Sequence, residues 1–190
     1  MTVLDVKGDL HSYLRGARET LVWKLDGLGE YDVRRPLTPT GTNLLGLVKH
    51  NAAMEVLYFG EVFGRTHATW AGDAEPNADL WATPDEARAD IVALYRSAWD
   101  FADATIIELP LEAVGRVPWW GDEAVTLHRI LVHVTAETQR HAGHADIVRE
   151  LIDGSAGLLE GLDNLRFGDR AQIGDFHDQV EAAARLAGGN

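Results

Sequence analysis

Apolar residues recur at helical spacing in four long stretches of this 190-residue chain, and nowhere do they sustain a period-two alternation. That pattern predicts an all-α protein. The first stretch runs from about Asp5 to Leu28, with Leu10, Leu14, Ala17, Leu21 and Leu25 on one face and Gly29 as a C-cap. The second follows the breaker run Pro36-Leu-Thr-Pro-Thr-Gly, is capped by Thr42 or Asn43, turns Leu44, Leu47, Val48, Met54 and Tyr58 inward and fades near Gly64. The third is announced by Thr83-Pro84-Asp85-Glu86, where Thr83 caps, Pro84 suits the first helical position and two acids favour the positive end of the helix dipole; Pro110 stops it. The fourth runs from about Glu123 to Ile152. Residues 155–175 read as irregular, with a short last helix from His177 to Leu186. Four long helices predict a four-helix bundle over about residues 5–154, with a long loop at 65–82 after the second helix and a partly irregular extension at 155–190. A single domain over 1–190 is the expected organisation.

Composition narrows the chemistry. The chain has no cysteine, which excludes disulfides, thiolate metal sites and a cysteine nucleophile. Its net charge of −13, with no basic run, argues against binding nucleic acid. The first residues lack the basic start and apolar core of a signal peptide, and no stretch approaches the roughly 20 apolar residues that span a bilayer. A cytoplasmic protein away from the membrane is expected. The three serines, at 12, 97 and 155, lie in no nucleophile-elbow motif, and no phosphate-binding glycine loop is present.

Three of the eight histidines fall in His133-Val-Thr-Ala-Glu137-Thr-Gln-Arg-His141-Ala-Gly-His144. At about 100° per residue, positions 133, 137, 141 and 144 lie within an arc of roughly 80°. Such a polar stripe is costly in a core unless it has partners. Ile130, Val134, Ile147, Val148 and Leu151 are interleaved with it, which points the stripe inward. His50, on the apolar face of the second helix between Leu47 and Met54, is the natural counterpart. Two imidazoles and one carboxylate hold one face of a divalent metal and leave other positions open, and Glu137 and His141 have the i, i+4 spacing for one ion. Taken singly, each of these residues also fits a hydrogen-bonded core or surface role. The zinc-protease pattern His-Glu-x-x-His is absent. Trp119-Trp120, before the fourth helix, read equally as a packed aromatic cap or as the lining of a ligand mouth.

The run Leu44-Leu-Gly-Leu-Val-Lys-His50, then Val117-Pro-Trp-Trp-Gly, then Thr126-Leu-His-Arg-Ile-Leu-Val-His-Val-Thr-Ala-Glu137-Thr-Gln-Arg-His141-Ala-Gly-His-Ala-Asp, resembles the DinB-like superfamily over about residues 5–170. The similarity is to the branch related to the mycothiol-dependent transferases and maleylpyruvate isomerase. It implies a bundle, commonly a homodimer, in which a divalent metal is held by one histidine of the second helix and two side chains of the fourth. The commonest pattern there is His-x-x-x-His; Glu137 in the first place is similar to the mycothiol-dependent isomerase branch. The resemblance therefore implies His50, Glu137 and His141 as ligands, with zinc as the expected ion and nickel, iron or manganese as alternatives. His144 stands where many relatives have glutamine.

The implied activity is that of a metal-dependent thiol transferase or isomerase, in which mycothiol or a similar thiol is activated against a small electrophile. That suits a chain with no sulfur nucleophile of its own, because a metal ion deprotonates a bound thiol near neutral pH. Trp119, Trp120 and Arg140 are the expected contacts for the thiol, and His144 and His133 the expected acid–base groups. Metal-dependent hydrolysis at the same site, with His144 or His133 as base, is the alternative enzymatic reading. A non-catalytic bundle that binds a small ligand is the other.

Overall fold

The structure is a computed structural model that describes residues 5–70, 72, 75–121, 123–162 and 169–189. Three of the four long helices in the unit Met1–Ala156 begin on a side chain that accepts a first-turn N–H. Asp5 does so for α1 (Val6–Trp23), Asn43 for α3 (Leu44–Phe59) and Thr126 for α5 (Leu127–Asp153), which Gly154 closes in the left-handed conformation. Between α1 and α3 lies a short α2 (Glu30–Arg34). The all-α expectation holds.

The remaining long helix, α4 (Arg88–Glu108), starts later than its sequence signal suggests and has no side-chain cap. The Thr83-Pro84-Asp85-Glu86 run forms a turn instead, in which the Thr83 N–H donates to Glu86 Oε2 at 2.7 Å and the Glu86 N–H to the Thr83 carbonyl at 3.2 Å. Lys49 Nζ takes the other Glu86 oxygen at 2.6 Å, which draws the turn onto α3 and away from the helix start. The first helix likewise ends at Lys24 and not near Gly29. There Arg149 of α5 donates to the carbonyls of Lys24 and Asp26 at 2.9 and 2.8 Å, supplying the ends of α1 with the partners that a further turn would have given.

Two short strands were not predicted. Val114–Val117 (β1) pairs antiparallel with Glu123–Thr126 (β2), with Val114 opposite Thr126 and Val117 opposite Glu123, so the expected start of the fourth helix at Glu123 is corrected to Leu127. Four residues per strand leave too few positions for an alternation to stand out. Trp119 and Trp120 sit in the connection between them. Gly115 lets the hairpin approach the chain after α3, because a Cβ there would lie 2.5 Å from the Val62 carbonyl oxygen.

Within the unit Met1–Ala156 the main helix contacts are α3 with α4, α1 with α5 and α3 with α5. Every residue of α3 is buried except His50 and Leu57, so it is the enclosed element of the bundle. The core has two apolar clusters, one around Leu14, Phe59, Ile106, Leu131 and Val134, the other around Leu21, Leu45, Val48, Tyr95 and Val148. Arg18 and Glu55, from α1 and α3, lie in the same interior. Ile147 and Leu151, which the spacing assigned inward, are exposed on α5. In the unit Gly157–Asn190, α6 (Arg170–Gly188) begins on an Asp169 cap, seven residues earlier than the predicted His177 start; residues 163–168 of the segment read as irregular lie outside the described residues. None of the described helices is long and apolar enough to cross a membrane.

Candidate functional site

His50, on α3, and His141, on α5, meet edge to face with ring centroids 4.9 Å apart. The i, i+4 geometry of α5 puts Glu137 beside them, with its Oε2 3.9 Å from His141 Nε2. His144 follows with its ring 5.6 Å from that of His141, on the exposed side. The predicted histidine–carboxylate set is thus brought into one neighbourhood. His50, His141 and Glu137 are all partly exposed, with side-chain exposures of 23, 16 and 32%, so none of them is sealed in the core. A cavity of about 270 Å³ adjoins it, lined by Asn43, Leu47, Leu80, His141 and His144 among others. A larger one, of about 880 Å³ near the start of α4, contains none of the candidate donors.

Two features describe how these rings are prepared. Burial, with help from the neighbouring His50 and His144, pushes the His141 pKa down to about 4, so this imidazole is neutral at pH 7. Its Nδ1 is buried and has no hydrogen-bond partner. A neutral imidazole with an unsatisfied nitrogen is the form that ligates a metal. His50 differs, because its Nδ1 lies 2.5 Å from Asp79 Oδ2. A carboxylate on the far nitrogen of a ligand histidine is a common outer support of metal sites. Among the described residues no three donor side chains already stand as a formed metal cage. By donor chemistry, two imidazoles with a carboxylate alongside, the residues suit a divalent ion.

Asp79 was not picked out in the sequence. It lies 29 residues beyond His50 in a polar loop, Glu75-Pro-Asn-Ala-Asp79, and nothing in its local pattern sets it apart.

His133 goes elsewhere. Its Nε2 is 3.0 Å from the Tyr58 hydroxyl, which also accepts from Trp119 Nε1 at 3.3 Å, and its ring packs against Trp120 with centroids 4.7 Å apart. Burial lowers the His133 pKa, so the ring that shares this hydrogen bond with Tyr58 is held toward its neutral form. Eight residues before His141, it is about 12 Å along the helix from the pair. The stripe therefore divides into a histidine–carboxylate end and an aromatic end, with Glu137 between. Trp119 is 44% exposed, whereas Trp120 packs on the core and under Arg129. Both tryptophans thus belong with the aromatic end. Arg140 is exposed on α5, and its charge contributes to holding His141 neutral.

Comparison with solved structures finds the same fold in a crystal structure of a conserved protein from Enterococcus faecalis. The match has a TM-score of 0.59 at 16% identity and covers 80% of this chain and 100% of the other. At that identity the likeness speaks for the fold alone. No protein of curated function matches the chain. The mycothiol-S-transferase family model matches residues 9–154, which run from the first turn of α1 to the end of α5 and take in the hairpin and each candidate site residue. With more than three quarters of its length covered by that match, the chain belongs to the mycothiol-S-transferase family.

Proposed function

We propose that this chain joins mycothiol, or a similar low-molecular-weight thiol, through its sulfur to a small electrophile, the thiol losing its proton and the electrophile any leaving group, with His50, Glu137 and His141 holding a divalent ion. The observation that carries the reading is His141 set edge to face against a second imidazole, His50, with a Glu137 carboxylate oxygen 3.9 Å from its Nε2. Zinc suits this mixed nitrogen and oxygen set. Such an ion lowers the pKa of a coordinated thiol, supplying at neutral pH the nucleophile that the chain lacks.

The chain's own residues do the rest. His50 and His141, from two helices, fix the reacting end of the site, and Glu137 contributes one negative charge, so a 2+ ion retains net positive charge that favours an anionic thiolate. His144, exposed at the rim of the 270 Å³ cavity, is placed to exchange a proton with a group entering there. His133 spends its Nε2 on Tyr58, which favours an orienting role for the aromatic end over that of a free base. The same reading carries a cytoplasmic homodimer, as the resemblance implies.

The test uses protein purified without a histidine tag. Metal analysis should find one divalent ion per chain. Metal-loaded protein with mycothiol and a chlorinated nitrobenzene or a bimane should form the S-conjugate, and His50→Ala should lose both ion and conjugate. Hydrolytic turnover without thiol dependence would replace this reading with metal-dependent hydrolysis.

A further inference from the structure

The segment Ala78–Trp81 lies along one flank of α3 and is held there by that helix through its backbone. Asn43 Nδ2 donates to the Leu80 carbonyl at 3.1 Å, and Lys49 Nζ donates to the carbonyls of Ala78 and Trp81 at 2.8 and 3.1 Å. Gly46 allows the contact, since a Cβ there would fall 2.0 Å from the Leu80 oxygen. The 3₁₀ turn Ala78–Leu80 is entered through Asn77, whose φ of 64° is the one left-handed value at a non-glycine residue among the described residues. Asparagine tolerates that conformation better than most side chains. Three carbonyls and a close backbone approach therefore dock the segment without drawing on the Asp79 side chain. That carboxylate, 19% exposed, goes instead to the imidazole of His50.

We infer that Asp79 is a positioning residue for His50: by accepting the Nδ1 proton it fixes the tautomer and ring orientation in which Nε2 carries the free lone pair for a metal. This rests on the metal reading above. The loop between α3 and α4 then has a definite part in the site, with Lys49 and His50, adjacent on one helix, respectively holding the segment and receiving its carboxylate. Removing a carboxylate of this kind typically costs 10–100-fold in metal affinity.

The experiment compares wild type, Asp79→Asn, Asp79→Glu and His50→Ala. Zinc affinity is measured by calorimetry, the His50 tautomer by nitrogen NMR of the metal-free imidazoles, and folding by thermal melts without metal. Asp79→Asn should bind zinc about 10–100-fold more weakly, shift His50 away from the pure Nδ1–H form and melt with wild type; Asp79→Glu should recover part of the affinity. Equal zinc affinity in wild type and Asp79→Asn, with an unchanged tautomer, overturns the inference while leaving the metal reading intact. A metal-free Asp79→Asn that melts well below wild type, with its tautomer unaltered, also overturns it, by assigning the carboxylate to loop docking. A wild type that binds no zinc sinks the metal reading and takes this inference with it.

Discussion

Glu55 is wholly buried and both of its oxygens are taken by Arg18, at 2.7 Å each, while the third arm of the guanidinium reaches Asp103 at 2.6 Å. His11 adds its Nε2 to the same Asp103 oxygen at 2.8 Å. Burial pushes the Glu55 carboxyl upward, and the bidentate Arg18 opposes that pull. Breaking such a pair from one side leaves a buried charge without its partner, which costs about 3–5 kcal/mol, whereas replacing both partners with apolar side chains is often neutral. Glu55→Leu leaves the buried Arg18 with Asp103 alone and should lose up to about that much in urea unfolding, and Arg18→Met with Glu55→Leu should regain most of it. A Glu55→Leu single variant as stable as wild type would falsify the ion-paired description of this interior.

At the scale of elements, Arg149 links the end of α5 to the end of α1. It donates to the Lys24 and Asp26 carbonyls and holds Asp153 on its own helix at 2.7 Å. The Arg149 bond to Asp153, with the Ser155 N–H donating to the same carboxylate, brings the Asp153 pKa down to about 2. A folded value below the unfolded one, near 3.9, means that the contribution is present above about pH 4 and disappears as the pH falls toward 2. Thermal melts between pH 5 and 2 should accordingly show a shallower acid decline for Asp153→Asn than for wild type. Identical acid limbs would remove Asp153 from the account.

How far the sequence reached depended on the length of each element. The four long helices are legible because Leu14, Leu21, Val48, Ile91, Leu131 and their neighbours repeat over several turns, and the stripe from His133 to His144 shows by the same period. His50 was readable as a polar residue on an apolar face. The hairpin was not, with four residues per strand, nor was the start of α4, where a helix-start signal is spent on a turn tied to Lys49. Asp79 and the Tyr58–His133 bond are contacts between distant parts of the chain. Only the packing of α3 against its neighbours brings them about. Ile147 and Leu151 lie on the outer face of α5, while Val148, between them in sequence, is buried in the core.

For the molecule as a whole, an ion bound across α3 and α5 would tie two of the bundle's long helices together. Zinc at 100 times its Kd stabilises a chain that binds it only when folded by about 2.7 kcal/mol. The melting temperature of wild type should rise with added zinc and return on chelation, and that of His50→Ala should stay level. A zinc-dependent rise of equal size in His50→Ala would place the ion elsewhere.

The enclosure of α3 also decides which half of the site is free to move. A helix buried at all but two of its residues lends its backbone amides to exchange only when most of the core opens, so its motions belong to the slow, global end of the protein's fluctuations. His50 is mounted there, while its carboxylate partner rides on a surface segment held by a few hydrogen bonds. The two halves of one contact thus keep different time: the imidazole marks a fixed point, and any breathing of the site is breathing of the loop.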